Sequence, residues 1–340
     1  MREVLADIEK WQLAGQSVAL ATVVQTWGSS PRGVGAKMAF TAAHDIAGSV
    51  SGGCIEGAVI TAGEDLFVGG VPQLLHFGVA DEMAWDVGLA CGGIIEVWVE
   101  ALDTAVYTFL RDLIQHNRKG VALTILQGPA DLVGRKLAFD QAGRRVGELG
   151  AWTETAVAAA QTCQNSQRLW LNEQIELFVD VLRPAPTLLL VGGAHIAVAL
   201  AVIASVLDYR VVVIDPRRAF GSAVRFPHVA QVIQSWPDEA LATLELGPET
   251  AVALLSHDPK IDDPALQVLL NSEVGYIGAL GSPKTHASRV ARLHKMGFDE
   301  TAVARIHAPI GLRIGAKTPA EIALAIMGEI VQQDRLGAGS

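Results

Sequence analysis

No apolar run in these 340 residues approaches the ~18 needed to cross a bilayer, although half of the residues are hydrophobic. Cysteine is scarce: Cys54, Cys91 and Cys163 are odd in number and widely spaced, with no Cys-x-x-Cys pair among them. That pattern excludes a disulfide framework and the usual zinc or dithiol spacing, and it fits a reducing compartment, the cytoplasm. Basic clusters are also missing. With 26 Lys and Arg against 36 Asp and Glu, the formal charge is −10, so there is no electrostatic footprint for nucleic acid, and small molecules or proteins are the expected partners. The first ten residues carry an apolar stripe at Val4, Leu5 and Ile8, continued by Trp11, which predicts an amphipathic helix rather than a secretory signal.

Glycine, by contrast, is abundant in one segment. From Gly28 to Gly93 it supplies 14 of 66 residues, well above the ~7% typical of proteins. The centre of this segment is Gly48-Ser-Val-Ser-Gly-Gly-Cys-Ile-Glu-Gly57. Its glycines let backbone amides approach a bound group, and the helical periodicity that resumes at Val59 and Ile60 places Cys54 near a helix N-terminus, a setting that favours a thiolate. A second arrangement, Gly88-Leu-Ala-Cys-Gly-Gly93, precedes the strand-like Ile94–Glu100. Both cysteines also fit a blander description, as small buried residues in tight turns. Upstream, the turn Trp27–Gly33 offers Ser29, Ser30 and Arg32 as anion donors, unless it is an ordinary exposed loop.

Strands are expected at 17–24, 36–40, 121–127, 132–139 and 175–181, with helices opening at the N-cap Asp103 and near 153–163. Cys163 has polar sequence neighbours and receives no role. Arg183-Pro-Ala-Pro186 breaks the pattern, and a domain boundary is placed there, giving domains 1–183 and 187–335. Beyond it the order becomes strand, turn, helix, strand, so the fold class is a glycine-rich mixed α/β domain followed by a Rossmann-like, doubly wound parallel sheet. Thr187–Val191 leads into the turn Gly192-Gly193-Ala194, and a second strand ends at Asp215, near the spacing expected of a residue that bonds a ribose hydroxyl. However, Ala194 and Ala197 stand where a dinucleotide fingerprint has its second and third glycines. Arg217, Arg218 and Arg225 could clamp phosphates. Later strands end at His257 and at Gly281-Ser282, and ligands in such sheets bind at strand carboxyl ends, so Asp215, His257 and Ser282 are expected to converge. Thr318-Pro-Ala-Glu321 has capping-box spacing, which makes Glu321 structural.

Taken together, Gly28-Ser-Ser-Pro-Arg32, Gly48–Glu56, Gly88–Gly93, Asp215-Pro-Arg217, Arg225-Phe-Pro227, His257-Asp258, Gly281-Ser282, Ile306–Leu312 and Thr318–Ala323 resemble the xanthine dehydrogenase accessory factor family, XdhC/CoxI, in order along nearly the whole chain. It departs at Ala194, where the family more often has glycine, and at Gly328, where alanine usually precedes the glutamate. The resemblance implies a cytoplasmic maturation factor rather than a catalyst. Such a factor binds molybdenum cofactor, as molybdopterin or its cytosine dinucleotide form, partners a cysteine desulfurase-type sulfurtransferase, and delivers the cargo to a molybdenum hydroxylase. On this reading Cys54 or Cys91 contacts the metal or relays a persulfide, with Glu56 beside them. Ser29, Ser30, Arg32, Gly52, Gly53, Gly92 and Gly93 hold the pterin end, and Gly192, Gly193, Ala194, Asp215, Arg217, His257, Gly281 and Ser282 hold the phosphate or nucleotide end. The apolar composition fits a homodimer. Two rivals are an NAD(P)-dependent oxidoreductase with His257 as general acid and a nucleotide-sensing module.

Overall fold

The computed structural model describes residues 1–78 and 93–337, so Cys91 and Gly92 lie outside the described residues. The chain divides into two compact units, Met1–Pro184 and Ala185–Ser340.

The first unit contains the same supersecondary pattern twice. Its first half runs α1 (Leu5–Leu13), β1 (Val18–Trp27), β2 (Lys37–Thr41), β3 (Ile46–Gly48), α2 (Glu56–Gly63), β4 (Gln73–Phe77) and β5 (Ile94–Ala101). The second runs α3 (Thr104–Gln115), β6 (Gly120–Gln127), β7 (Lys136–Asp140), β8 (Arg145–Gly147), α4 (Thr153–Gln161), β9 (Gln167–Trp170) and β10 (Glu176–Leu182). The two antiparallel sheets have matching orders, β3-β2-β1-β5-β4 and β8-β7-β6-β10-β9. Even the irregularities correspond. Register slips past Val24 in β1 and past Leu126 in β6, and both side chains then pack in one cluster with Trp98 and Phe178.

Helix α3 forms where Asp103 accepts bonds from the amides of Ala105 and Val106, and its apolar face (Val106, Leu110, Leu113) covers Ala122 and Ala138 of the second sheet. Burying three such side chains stabilises the contact by ~1.5–3 kcal/mol each. The expected strand 132–139 begins only at Lys136. Leu132 and Val133 donate to the Pro129 carbonyl, and Gly134, at φ +83°, turns the chain before it becomes extended. Cys163 is buried against the second sheet despite its polar sequence neighbours.

The second unit is a six-stranded parallel sheet in the order β13-β12-β11-β14-β15-β16, in which β11 (Thr187–Val191), β12 (Arg210–Ile214), β13 (Gln231–Ile233), β14 (Thr250–Leu254), β15 (Tyr276–Ala279) and β16 (Ile306–His307) appear in sequence order. This is the doubly wound arrangement whose order reverses between its first and fourth strands. Central strands such as Leu188–Val191 and Val211–Ile214 are uninterrupted apolar runs because helices cover both faces. Helices α5 (His195–Val206) and α10 (Pro319–Gly337) pack on one face. On the other lie α7 (Pro259–Leu270) and α8 (Pro283–Lys295), together with the shorter α6 (Pro237–Leu241) and α9 (Glu300–Ala304). Helix α10 opens with the expected capping box: Glu321 accepts from the amides of Lys317 and Thr318. Among the described residues no helix is long and apolar enough to cross a membrane.

Candidate functional site

The duplication within the first unit identifies which loops have been elaborated. Between β3 and α2 lie residues 49–55, against 148–152 between β8 and α4. Between β4 and β5 lie 78–93, against 171–175 between β9 and β10. The longer loops carry the glycine-cysteine motifs, while their shorter counterparts hold no cysteine. They also meet. A Cβ on Gly93 would fall 2.2 Å from the Ser29 carbonyl, and one on Gly52 would touch the Pro31 ring at 3.7 Å. Ser29, Ser30, Arg32, Gly52, Gly53, Cys54 and Gly93 therefore share one end of the first sheet.

Glu56 organises this end. Its Oε1 accepts from Ser49 Oγ (2.6 Å) and from the amides of Val50, Ser51 and Gly52. Its Oε2 accepts from Ser51 Oγ (2.6 Å) and the amides of Gly53 and Ile55. Burial would raise this carboxyl, but the two hydroxyls and the backbone donors outweigh it and bring the pKa down to about 2. The glycine cradle thus holds the protein's own anion: the amides of Gly52 and Gly53 face Glu56, not an external group. Gly52 and Gly53 both need positive φ (+83° and +119°) for this wrapping. What the loop presents outward is Cys54, an exposed free thiol one residue before the N-cap Ile55 of α2. Arg32 is similarly committed. Its Nε donates to the Ser49 carbonyl at 3.1 Å and its Nη2 pairs with Glu3, while Ser30 Oγ donates to the Arg32 carbonyl. The anion-holding cation expected of this turn instead ties it to the Cys54 loop. Among the described residues no group of three or more His, Cys, Asp and Glu is placed to hold a metal ion.

In the second unit, Asp215 follows β12 and is fully buried. Its Oδ2 accepts from the Gly193 amide (2.8 Å) and Arg217 Nη2 (2.7 Å), and its Oδ1 from the amide and Nε of Arg217 (2.9 Å each). Burial pushes the carboxyl up, yet the guanidinium and amide bonds hold it below its ordinary value. Asp215 therefore locks the glycine turn to the Arg217 loop, and Arg217 takes up acceptor sites that the carboxylate would offer a ribose hydroxyl. The closeness is real packing: a Cβ on Gly193 would lie 2.3 Å from the Phe220 carbonyl, and one on Gly192 2.8 Å from the Ser256 amide. Ala194 is the N-cap of α5 and makes no side-chain cap. The sequence did not single out Phe220, whose ring centroid is 4.4 Å from the guanidinium carbon of Arg217 and 5.8 Å from that of Arg225.

His257 and Gly281-Ser282 follow β14 and β15. They lie with Asp215 at the carboxyl ends of one parallel sheet but belong to different local structures. His257 sits in the left-handed region at φ +59°, before the α7 N-cap Asp258. Ser282 caps α8 by accepting from the Thr285 amide, after Gly281 at φ +140°.

Comparison with known proteins agrees with this geometry. Residues 188–330 match the XdhC Rossmann domain, and residues 11–78 match the XdhC and CoxI family. A probable xanthine dehydrogenase subunit of Bacillus subtilis is 29% identical over 93% of both chains. The molybdenum cofactor insertion chaperone PaoD of Escherichia coli is 26% identical over 94% of this chain and 84% of its own. A crystal structure of a xanthine dehydrogenase from Bacillus halodurans, 23% identical, superposes with a TM-score of 0.80 over 99% of this chain and 97% of that one, which establishes a shared fold. With both units matched by models of the same family, this chain belongs to the XdhC and CoxI family.

Proposed function

We propose that this protein is a molybdenum cofactor chaperone that holds the metal-pterin cargo for a xanthine dehydrogenase-type molybdenum hydroxylase and releases it to the apo-enzyme. The observation that carries this reading is the exposed Cys54 thiol on a loop whose backbone donors are already held by Glu56. A loop so arranged has a soft sulfur ligand to offer and no spare amide nest, which suits a molybdenum centre better than a phosphate. The Glu56 carboxylate beside it disfavours any anionic end of the cargo, so the phosphate end falls to the second unit. The name of the Escherichia coli relative points the same way.

On this reading Cys54, with Cys91 as the second thiol of the family motif, contacts molybdenum, and the surfaces of Ser29, Gly92 and Gly93 border the pterin. The cargo is molybdopterin or its cytosine dinucleotide form. A cysteine desulfurase-type sulfurtransferase installs the terminal sulfido ligand while the cargo is held, and the working form is a cytoplasmic homodimer without turnover of its own.

The test is anaerobic purification of the full chain and of Cys54→Ser, with molybdenum measured by mass spectrometry and pterin by fluorescence after oxidation. Wild type is expected to retain both and Cys54→Ser to lose about tenfold, with a parallel loss in activation of the apo-hydroxylase. Equal retention and equal activation by the variant would overturn the role of Cys54.

A further inference from the structure

The second unit contains a cavity of about 260 Å³ at the carboxyl end of its sheet, between the start of α7 and the first turns of α8. His257 and Asp262 line it from one side, and Lys284, Ser288, Arg289 and Arg292 from the other. It is separate from the Gly193–Asp215–Arg217 lock, none of whose members line it.

Arg289 is the unusual member. It is 1% exposed, in the second turn of a 13-residue helix. Its Nη2 donates to the Leu280 carbonyl (2.9 Å) and, more weakly, to Asp262 (3.3 Å). Its Nε and Nη1 are buried with no hydrogen-bond partner among the described residues. A guanidinium presents a planar fork of donors, and leaving buried donors unpaired is costly unless a ligand completes them. Asp262 reaches only Nη2 through its Oδ2, and its Oδ1 accepts from Ser256 Oγ at 2.5 Å. The other cations differ in availability. Arg292 is held by Asp263 through two bonds (2.5 and 2.9 Å). Lys284 is exposed; its carbonyl accepts from Ser288 Oγ at 3.2 Å, while its ammonium has no hydrogen-bond or ion-pair partner among the described residues. The cavity therefore combines an anchored, under-satisfied guanidinium with a free ammonium, at the positive end of a helix.

We infer that this cavity is an oxyanion site that takes a phosphate group, with Arg289 as its buried anchor and Lys284 as its mobile clamp. Its volume lies below the 300–1,000 Å³ typical of whole-ligand pockets, so it accommodates a phosphate and the atoms next to it, with the rest of the ligand outside. The inference deepens the cargo reading by naming the receptor for the phosphate end, and it rests on that reading only for the identity of the molecule bearing the phosphate.

The probe is inorganic phosphate, titrated calorimetrically into the full chain at low ionic strength, with acetate at equal concentration as the competing carboxylate. Wild type is expected to bind phosphate saturably and more tightly than acetate, and Lys284→Gln to weaken it about tenfold. Lys284 is exposed, so that variant keeps the fold, which circular dichroism verifies. Arg289→Lys, the second variant, retains the charge but loses the fork, and is expected to weaken phosphate further. No saturable heat in wild type, equal affinity in Lys284→Gln, or acetate binding as tightly as phosphate would each overturn the site. If phosphate binds as expected while the anaerobically purified protein retains no pterin, the site stands and the cargo reading falls.

Discussion

The Nζ of Lys37 lies 2.8 Å from the Asp180 carboxylate, and Lys136 makes the corresponding 2.7 Å pair with Glu100. Each lysine belongs to the second strand of one half of the first unit, and each acid to the last strand of the other half. Each ammonium also donates to a threonine of its own sheet, Thr22 or Thr124, at matching register. The halves are therefore joined by two exchanged, buried ion pairs, and the neighbouring cavity of about 30 Å³ has room for only about one or two waters. This centre joins the halves.

Removing one partner of such a pair leaves a buried charge without compensation. Burial alone would raise the Asp180 carboxyl, and the charge of Lys37, then the N-terminal ammonium, with hydrogen bonds from Lys37 and Ser166, hold it below its ordinary value. Lys37→Met is expected to destabilise the protein by ~3–5 kcal/mol, while Lys37→Met combined with Asp180→Leu recovers most of the loss. Urea unfolding of the single and double variants measures the coupling, and additive losses would show that the pair contributes nothing.

A second expectation concerns Glu56. Its carboxyl is depressed from an ordinary value of 4.5 to about 2, so the stability it contributes is complete above pH 4.5 and is lost as pH falls towards 2. Glu56→Gln should lower stability at neutral pH by ~1–2 kcal/mol, a figure reduced for partial solvation. The difference between wild type and variant should shrink across that pH window and vanish below it. Amide exchange of residues 50–55 reads the same event locally, with protection falling in the variant.

Much of this architecture is legible in the sequence, and the exceptions have physical causes. Buried parallel strands such as Leu188–Val191 and Val211–Ile214 are unbroken apolar runs, and Asp103 and Thr318 mark helix starts by their side-chain chemistry. The duplication left a trace in Gly35-Ala-Lys-Met-Ala-Phe40 and Gly134-Arg-Lys-Leu-Ala-Phe139, where glycine at positive φ precedes the bridging lysine. That trace is visible only when the two halves are aligned. The role of Glu56 could not be read from spacing, because a carboxylate one residue beyond Ile55 folds back over seven positions of backbone. Arg289 gives no signal at all. On paper it is one more arginine on an exposed helix, and its burial depends on Leu280 and Asp262 coming from other elements.

The lock around Asp215 yields a third expectation. With both carboxylate oxygens engaged by Gly193 and Arg217, no acceptor remains for a ribose diol, so fluorescence titration with NADH should show no saturable binding at millimolar concentration. Asp215→Ala leaves the Gly193 amide unpaired and should cost ~1–3 kcal/mol, whereas Asp215→Asn, which can still accept from that amide, should cost less. Tight NADH binding by wild type would mean that Arg217 releases Asp215 on contact with a dinucleotide, and the oxidoreductase reading would then regain its footing.

The last expectation tests the duplication through two glycines at equivalent positions in the two halves. Gly48 and Gly147 end the third strands of their respective halves at φ +70° and +80°. A Cβ at either would stand 2.3 Å from the carbonyl oxygen of the bridging lysine across the sheet, Lys37 or Lys136. Backbone cannot yield as a flexible side chain can, so each substitution by alanine combines left-handed strain with a steric clash against the strand that carries the exchanged ion pair. At Gly48 the Val4 side chain adds a second obstacle at 2.6 Å, one for which Gly147 has no counterpart. Gly48→Ala and Gly147→Ala should therefore both destabilise, each by more than the ~1 kcal/mol of an unstrained glycine replacement, with Gly48→Ala the more severe. Because Gly147 lies far in sequence from any cysteine motif, its variant should retain molybdenum and pterin wherever it remains folded. Loss of cargo from folded Gly147→Ala would mean that the second half is part of the binding surface and not only its structural twin.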